Sequence, residues 1–118
     1  MESNDAIEAL SALAQPTRLE TFRLLVTREP VGVPAGELAR IIATPQNTMS
    51  THLAILSRAG LIRGERHSRS IVYRANLDRF REVALFLLKD CCGGRADLCQ
   101  PLIDELSPCC PTKETACG

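Results

Sequence analysis

The stretch AGELARIIATPQNTMSTHLAILSRAG, residues 35–60, decides the fold. Glu37, Leu38, Ile41 and Ile42 predict a short helix over about 35–42. Ala43-Thr44 is a tight turn. Thr44-Pro45 then reads as a second helix start, a hydroxyl cap followed by a proline at the first helical position. This helix is predicted over about 45–59, with Gly60 closing it as a left-handed cap. Met49, Leu53 and Leu56 make its apolar face. The opposite side presents Gln46, Asn47, Thr48, Ser50 and Thr51, all small to medium, polar and uncharged. Two short helices joined by a tight turn, the second offering hydrogen bonds outward, form a helix-turn-helix suited to a major groove.

Working downstream, Leu61 to Arg66 and Ser70 to Ala75 alternate in polarity around His67-Ser68-Arg69. They predict a β-hairpin with a basic tip. Upstream, Asp5 and Glu8 have capping-box spacing. Ile7, Leu10, Leu13 and Ala14 recur behind them, giving a first helix that ends near Gln15. Pro16 opens a second helix whose apolar face is Leu19, Phe22, Leu25 and Val26, kept soluble by Arg18, Glu20 and Arg23. Pro30, Gly32 and Pro34 punctuate a loop in which Val31 and Val33 suit a short strand. From Leu77 to Asp90 the pattern is helical again, but Leu77, Phe80, Val83, Ala84, Leu85, Phe86, Leu87 and Leu88 cover nearly the whole circumference. A helix apolar all round needs burial on all sides. So small a domain can hardly supply that alone, which points to a partner subunit. The expected fold is mainly α with a small β-hairpin, a dimeric winged helix-turn-helix over residues 1–90, followed by a cysteine-rich tail over 91–118.

Length and composition agree. A chain of 118 residues is one domain by size, and 45% hydrophobic residues suffice for a core. With 3% aromatics and no Trp, that core is aliphatic. The net charge of zero hides an uneven distribution. Residues 44–76 carry Arg58, Arg63, Arg66, Arg69 and Arg74 against Glu65 alone, a local excess of +4 that suits an anionic partner. No apolar run approaches the ~20 residues of a membrane span. No signal peptide is apparent, so a cytosolic location is expected.

Each polar residue of the motif suits a DNA role. Gln46 and Asn47 can read base edges from the helix N-terminus. Thr48 shares their face, and Ser50 and Thr51 suit phosphates or thymine methyls. The hairpin arginines, Arg66 and Arg69, suit phosphates or a narrow minor groove, and Arg58 is expected among the DNA-binding residues with them. His52 is assigned to packing or a phosphate contact, and His67 to the hairpin tip.

All six cysteines lie in residues 91–118, in two copies of one spacing: Cys91-Cys92-x₆-Cys99 and Cys109-Cys110-x₆-Cys117. In a reducing compartment clustered thiols suit a soft ion or redox chemistry more than structural disulfides. Adjacent cysteines also pair poorly with one another. Arsenic(III) and antimony(III) take three sulfurs, which one trio supplies. Zinc favours four tetrahedral ligands, and the tail holds no obvious fourth apart from Asp97 or a thiol of the other trio. Cadmium, lead and zinc are the alternatives, as is a thiol redox sensor. An enzyme is not expected: there is no Cys-x₅-Arg loop, Cys–His couple or acid/base pair. A soft-metal carrier would not need the helix-turn-helix.

Leu13-Ala14-Gln15-Pro16-Thr17-Arg18-Leu19, Ser50-Thr51-His52-Leu53-Ala54-Ile55-Leu56 leading into Ala59-Gly60-Leu61-Ile62, and Val72-Tyr73-Arg74 occur in that order. In these stretches the chain resembles the ArsR/SmtB family of winged-helix repressors, over roughly residues 5–90. The resemblance implies a homodimer that binds double-stranded operator DNA and releases it when a metal or metalloid binds. It also implies a dimer interface on the first and last helices, here Ile7, Leu10, Phe80, Ala84, Leu87 and Leu88. The chain departs from the family in three places. Residues 37–42 lack the Cys-x-Cys of many arsenic-responsive members. Helix 77–90 has Asp78 but none of the histidines of zinc-responsive members. Ser68-Arg69-Ser70 replaces the usual glycine-bearing wing turn. The inducer site is therefore expected at Cys91, Cys92 and Cys99, similar to a subgroup with C-terminal arsenic sites. Cys109, Cys110 and Cys117 are left as a second site, a relay, an accessory, or an inessential tail.

Overall fold

A computed structural model describes residues 1–92, with side chains as far as Leu88. The elements are α1 (Ser3–Leu13), α2 (Pro16–Thr27), β1 (Val33–Pro34), α3 (Ala35–Ile42), α4 (Gln46–Arg58), β2 (Ile62–His67), β3 (Ser70–Ala75) and α5 (Leu77–Cys92). Met1–Val83 forms one compact unit, and the described residues from Ala84 onward belong to a second. Cys99, Cys109, Cys110 and Cys117 lie outside the described residues, as do the side chains of Cys91 and Cys92.

Helix α1 starts two residues before the expected capping box. Glu2 is its N-cap, with extended φ and ψ of −97° and 160° and no side-chain cap bond. Asp5 sits in the first turn instead, where its charge still favours the helix dipole. The face turned inward also differs from expectation. Ala6, Ala9 and Ala12 are buried, while Ile7 and Leu10 are exposed. Small side chains at i, i+3 and i+6 let the α1 backbone approach its neighbours closely.

Helix α2 begins as expected at Pro16, and Gln15 caps it by accepting the Arg18 N–H at 2.9 Å. Phe22 and Leu25 are buried, but Leu19 and Val26 are exposed. Thr21 takes an inward position that the apolar pattern did not assign. Its hydroxyl is satisfied by donating to the Thr17 carbonyl at 2.7 Å.

Helices α3 and α4 end in the same way. Thr44 N–H closes on the Ala39 carbonyl at 2.9 Å, and Leu61 N–H on the Leu56 carbonyl at 3.0 Å. Each closure needs a left-handed residue. Gly60 provides one with φ 81°, as its sequence position predicted. Ala43 provides the other with φ 60°, a conformation costly for a residue with a Cβ. Thr44 does not cap α4: Pro45 is the N-cap, and no side chain bonds there.

The hairpin forms with a two-residue turn, Ser68-Arg69, in which Ser68 has φ 59°. It is one part of a three-stranded antiparallel sheet in the order β1-β3-β2. Val33 pairs with Tyr73 and Pro34 with Val72. Ahead of β1, Gly32 passes so close to β3 that a Cβ would stand 2.7 Å from the Tyr73 carbonyl oxygen. One apolar cluster, including Phe22, Leu25, Leu38, Met49, Leu53, Leu56 and Leu61, joins α2, α3 and α4 to the base of the sheet. Asn76 links the end of α4 to the start of α5, donating to the Gly60 carbonyl at 2.8 Å and accepting the Arg79 N–H at 3.4 Å.

Candidate nucleic-acid interface

Met49, Leu53 and Leu56 are no more than 2% exposed and anchor α4 in the core. That anchoring sets which side of α4 faces out. Gln46, Asn47, Thr48, Ser50 and Thr51 are all exposed, so the structure gathers them on one helix face. Asn47 is partly engaged locally: its Oδ1 accepts the Thr48 N–H at 2.9 Å, and its carbonyl accepts the Thr51 hydroxyl at 3.3 Å. Its amide N–H groups remain for an outside acceptor.

The five arginines of residues 44–76 divide into two groups. Arg74 donates to Glu29 at 2.9 Å and 3.4 Å, a two-pronged pair joining β3 to the loop after α2. That pair holds the Glu29 carboxyl below the usual glutamate range, chiefly through the hydrogen bond. Arg63 donates to the Asn76 side chain at 3.4 Å. Arg58, Arg66 and Arg69 are exposed, and their side chains make no hydrogen bond or ion pair among the described residues. The anion-binding capacity expected of this region therefore rests on these three. Arg58 closes α4, while Arg66 and Arg69 sit at the hairpin tip, where Glu65 and His67 lie 3.6 Å apart.

His52 is half-buried and differs from its neighbours. Its Nδ1 lies 3.3 Å from a guanidinium nitrogen of Arg18 on α2. Burial pushes the imidazolium pKa down, and the Arg18 charge adds to the shift. Sequence reasoning assigned Arg18 only to solubility. Its position two residues after the Pro16 helix start was the available signal, since the first turn lies against the preceding helix end.

Ile7 and Leu10 on α1 and Phe80 on α5 are exposed, at 60%, 39% and 41%. In the second unit Leu87 is 39% exposed, and Ala84 and Leu88 are half-buried. Among the described residues no group of three or more His, Cys, Asp or Glu could hold a metal ion. No helix there is long and apolar enough to cross a membrane.

A three-helix core, a helix-turn-helix and a β-hairpin wing define a winged helix-turn-helix protein. A family model described as a helix-turn-helix domain matches residues 13–65. The transcriptional repressor SmtB of Mycobacterium tuberculosis is 40% identical over 67 residues, covering 57% of this chain and 47% of that protein. The solved structure of the transcriptional repressor BigR from Xylella fastidiosa is 30% identical, covers 73% of this chain and 87% of that one, and has a TM-score of 0.57. A structure titled as a possible transcriptional regulator for arsenical resistance is 29% identical, with 67% and 80% coverage and a TM-score of 0.59. The chain belongs to the ArsR/SmtB family of winged-helix transcriptional regulators. It spans about half the length of the curated relatives it matches, 58% of the transcriptional regulator KmtR of Mycobacterium tuberculosis and 47% of SmtB. These relatives are regulators of transcription, not enzymes.

Proposed function

We propose that this protein is a repressor that binds operator DNA as a homodimer and lets go when arsenic(III) or antimony(III) is captured by Cys91, Cys92 and Cys99. One observation carries the DNA part: α4 is clamped by Met49, Leu53 and Leu56 so that its uncharged polar row faces out, and Arg58, Arg66 and Arg69 lack internal partners. A two-fold dimer would offer two such helices to successive major grooves. The exposed apolar residues Ile7 and Leu10 of α1 and Phe80 of α5 are proposed for the subunit contact, as are, in the second unit, the exposed Leu87 and the half-buried Ala84 and Leu88.

The inducer part rests on donor chemistry. Trivalent arsenic and antimony are soft and thiophilic, and the trio supplies three sulfurs without a carboxylate or imidazole. The α5 backbone reaches Cys92, so two of the three thiols belong to a proposed dimer helix. The likeness to a structure titled for arsenical resistance points the same way. A hundredfold drop in DNA affinity needs only about 2.7 kcal/mol of coupling between the two sites. Cys109, Cys110 and Cys117 are proposed as a second, auxiliary site. The cytoplasm is the proposed location.

The test is operator binding titrated with trivalent arsenic, antimony, cadmium, lead and zinc under reducing conditions. It uses the wild type, Cys91→Ser, Cys92→Ser, Cys99→Ser and a truncation after Leu106. Release by arsenic and antimony that each single variant abolishes is the expected result. Release only by cadmium, lead or zinc replaces the inducer assignment, and release only by peroxide makes the tail a redox sensor. Normal release from all three serine variants moves the site elsewhere.

A further inference from the structure

The Arg18 guanidinium connects two helices that have different proposed jobs. Its Nε donates to the Ala12 carbonyl near the end of α1 at 2.7 Å. That carbonyl has no intrahelical donor, because the residue four places on is Pro16, which has no N–H. A cation there also meets the negative end of the α1 dipole. Another nitrogen of the same group reaches His52 Nδ1 at 3.3 Å, on the outward-reading helix α4. A guanidinium has donors and no acceptor. A hydrogen bond between them therefore requires Nδ1 to accept, which is the neutral imidazole with its proton on Nε2.

We infer that Arg18 is a positioning residue for operator recognition, seating α4 against the end of α1 through His52 and holding that imidazole as the neutral Nε2–H tautomer. The inference rests on the operator-binding reading above and names a residue that need not touch DNA. It also has a sign. A free histidine near phosphates strengthens DNA binding when protonated, because it adds a positive charge. Protonated His52 instead turns a second N–H toward the donors of Arg18 and loses the contact. Arg18 is the one charged group among the described residues that bears on the imidazole. No acid or base of α1, α3 or β2, the other elements packed against α4, acts on it.

Two measurements test this. The first reads the His52 tautomer and titration by ¹⁵N NMR in the free protein. The second follows operator affinity by fluorescence anisotropy from about pH 5.5 to about pH 8, the range in which histidines titrate. The Nε2–H tautomer is expected, with affinity weakening as the solution is acidified. Arg18→Gln and His52→Leu should each weaken binding about tenfold at the alkaline end, the effect of losing a hydrogen bond to a charged group. Both should flatten the pH profile. His52→Asn, which keeps an acceptor near the place of Nδ1, should recover most of the affinity. If Arg18→Gln fails to fold, the His52→Leu and His52→Asn pair and the wild-type spectra carry the test. An Nδ1–H tautomer overturns the inference, as does a wild-type protein whose binding rises with acid. Unchanged binding in both His52→Leu and Arg18→Gln also overturns it. A wild type that binds no promoter fragment at any pH is a separate result, which overturns the operator reading itself.

Discussion

Helices α1 and α4 pack against one another, yet they turn opposite kinds of side chain inward. Helix α4 buries Met49, Leu53 and Leu56 and exposes polar groups. Helix α1 buries Ala6, Ala9 and Ala12 and exposes Ile7 and Leu10. The first arrangement is complete within a single chain. The second leaves its larger apolar groups partly in water, each forgoing a share of the about 1.5–3 kcal/mol that full burial contributes. One helix is thus held by the core, and the other is suited to a further surface.

The largest effect should come from the α4 anchor. Leu53→Ala is expected to destabilise the fold by about 3 kcal/mol, the usual result of emptying a tightly packed site, as read by denaturant unfolding. Next comes the outer face of α1. Ile7→Ser should leave helix content intact and raise the dimer dissociation constant about a hundredfold, since a two-fold contact loses the side chain twice. An unchanged constant in sedimentation equilibrium would make this face ordinary surface and dissolve the contrast between the helices.

Smaller effects sharpen it. Arg58→Ala and Arg69→Ala should each lower the salt slope of operator binding by about one. Arg74→Gln should leave that slope nearly unchanged, because Arg74 already holds Glu29. Ala43→Gly should stabilise the fold by about 1 kcal/mol by relieving a left-handed alanine, seen as a raised melting temperature. The smallest effect belongs to Glu29. Its folded pKa is depressed, so the stability it adds is full above the usual glutamate range and fades as pH falls through the folded value. Acid titration of Glu29→Gln should lack that component.

Much of this was legible in the residues. Helices α3 and α4, the hairpin and the Gly60 cap follow from local spacing, because period and turn chemistry act over a few residues. The polar row of α4 was legible for the same reason: Met49, Leu53 and Leu56 mark the inner face, which assigns the rest to the outside. The inward face of α1 was not. Ile7 and Leu10 are the stronger apolar signal, and pattern reading sends the larger residues inward. Close approach of neighbouring helices favoured the alanines instead. Arg18 was equally opaque, since its partners are a carbonyl six residues back and an imidazole 34 residues ahead. The same distance effect removed Arg74 from the free cations, its partner Glu29 being 45 residues away.

The amino-acid order alone determined the succession of elements, the recognition motif and the two cysteine trios, since each is written in neighbours along the chain. Only the tertiary structure decided which helix faces outward with its apolar groups, which arginines stay free, and which side chain His52 meets. Those outcomes depend on groups brought together by packing, and no local pattern encodes the distance between residues that meet only after the chain has folded.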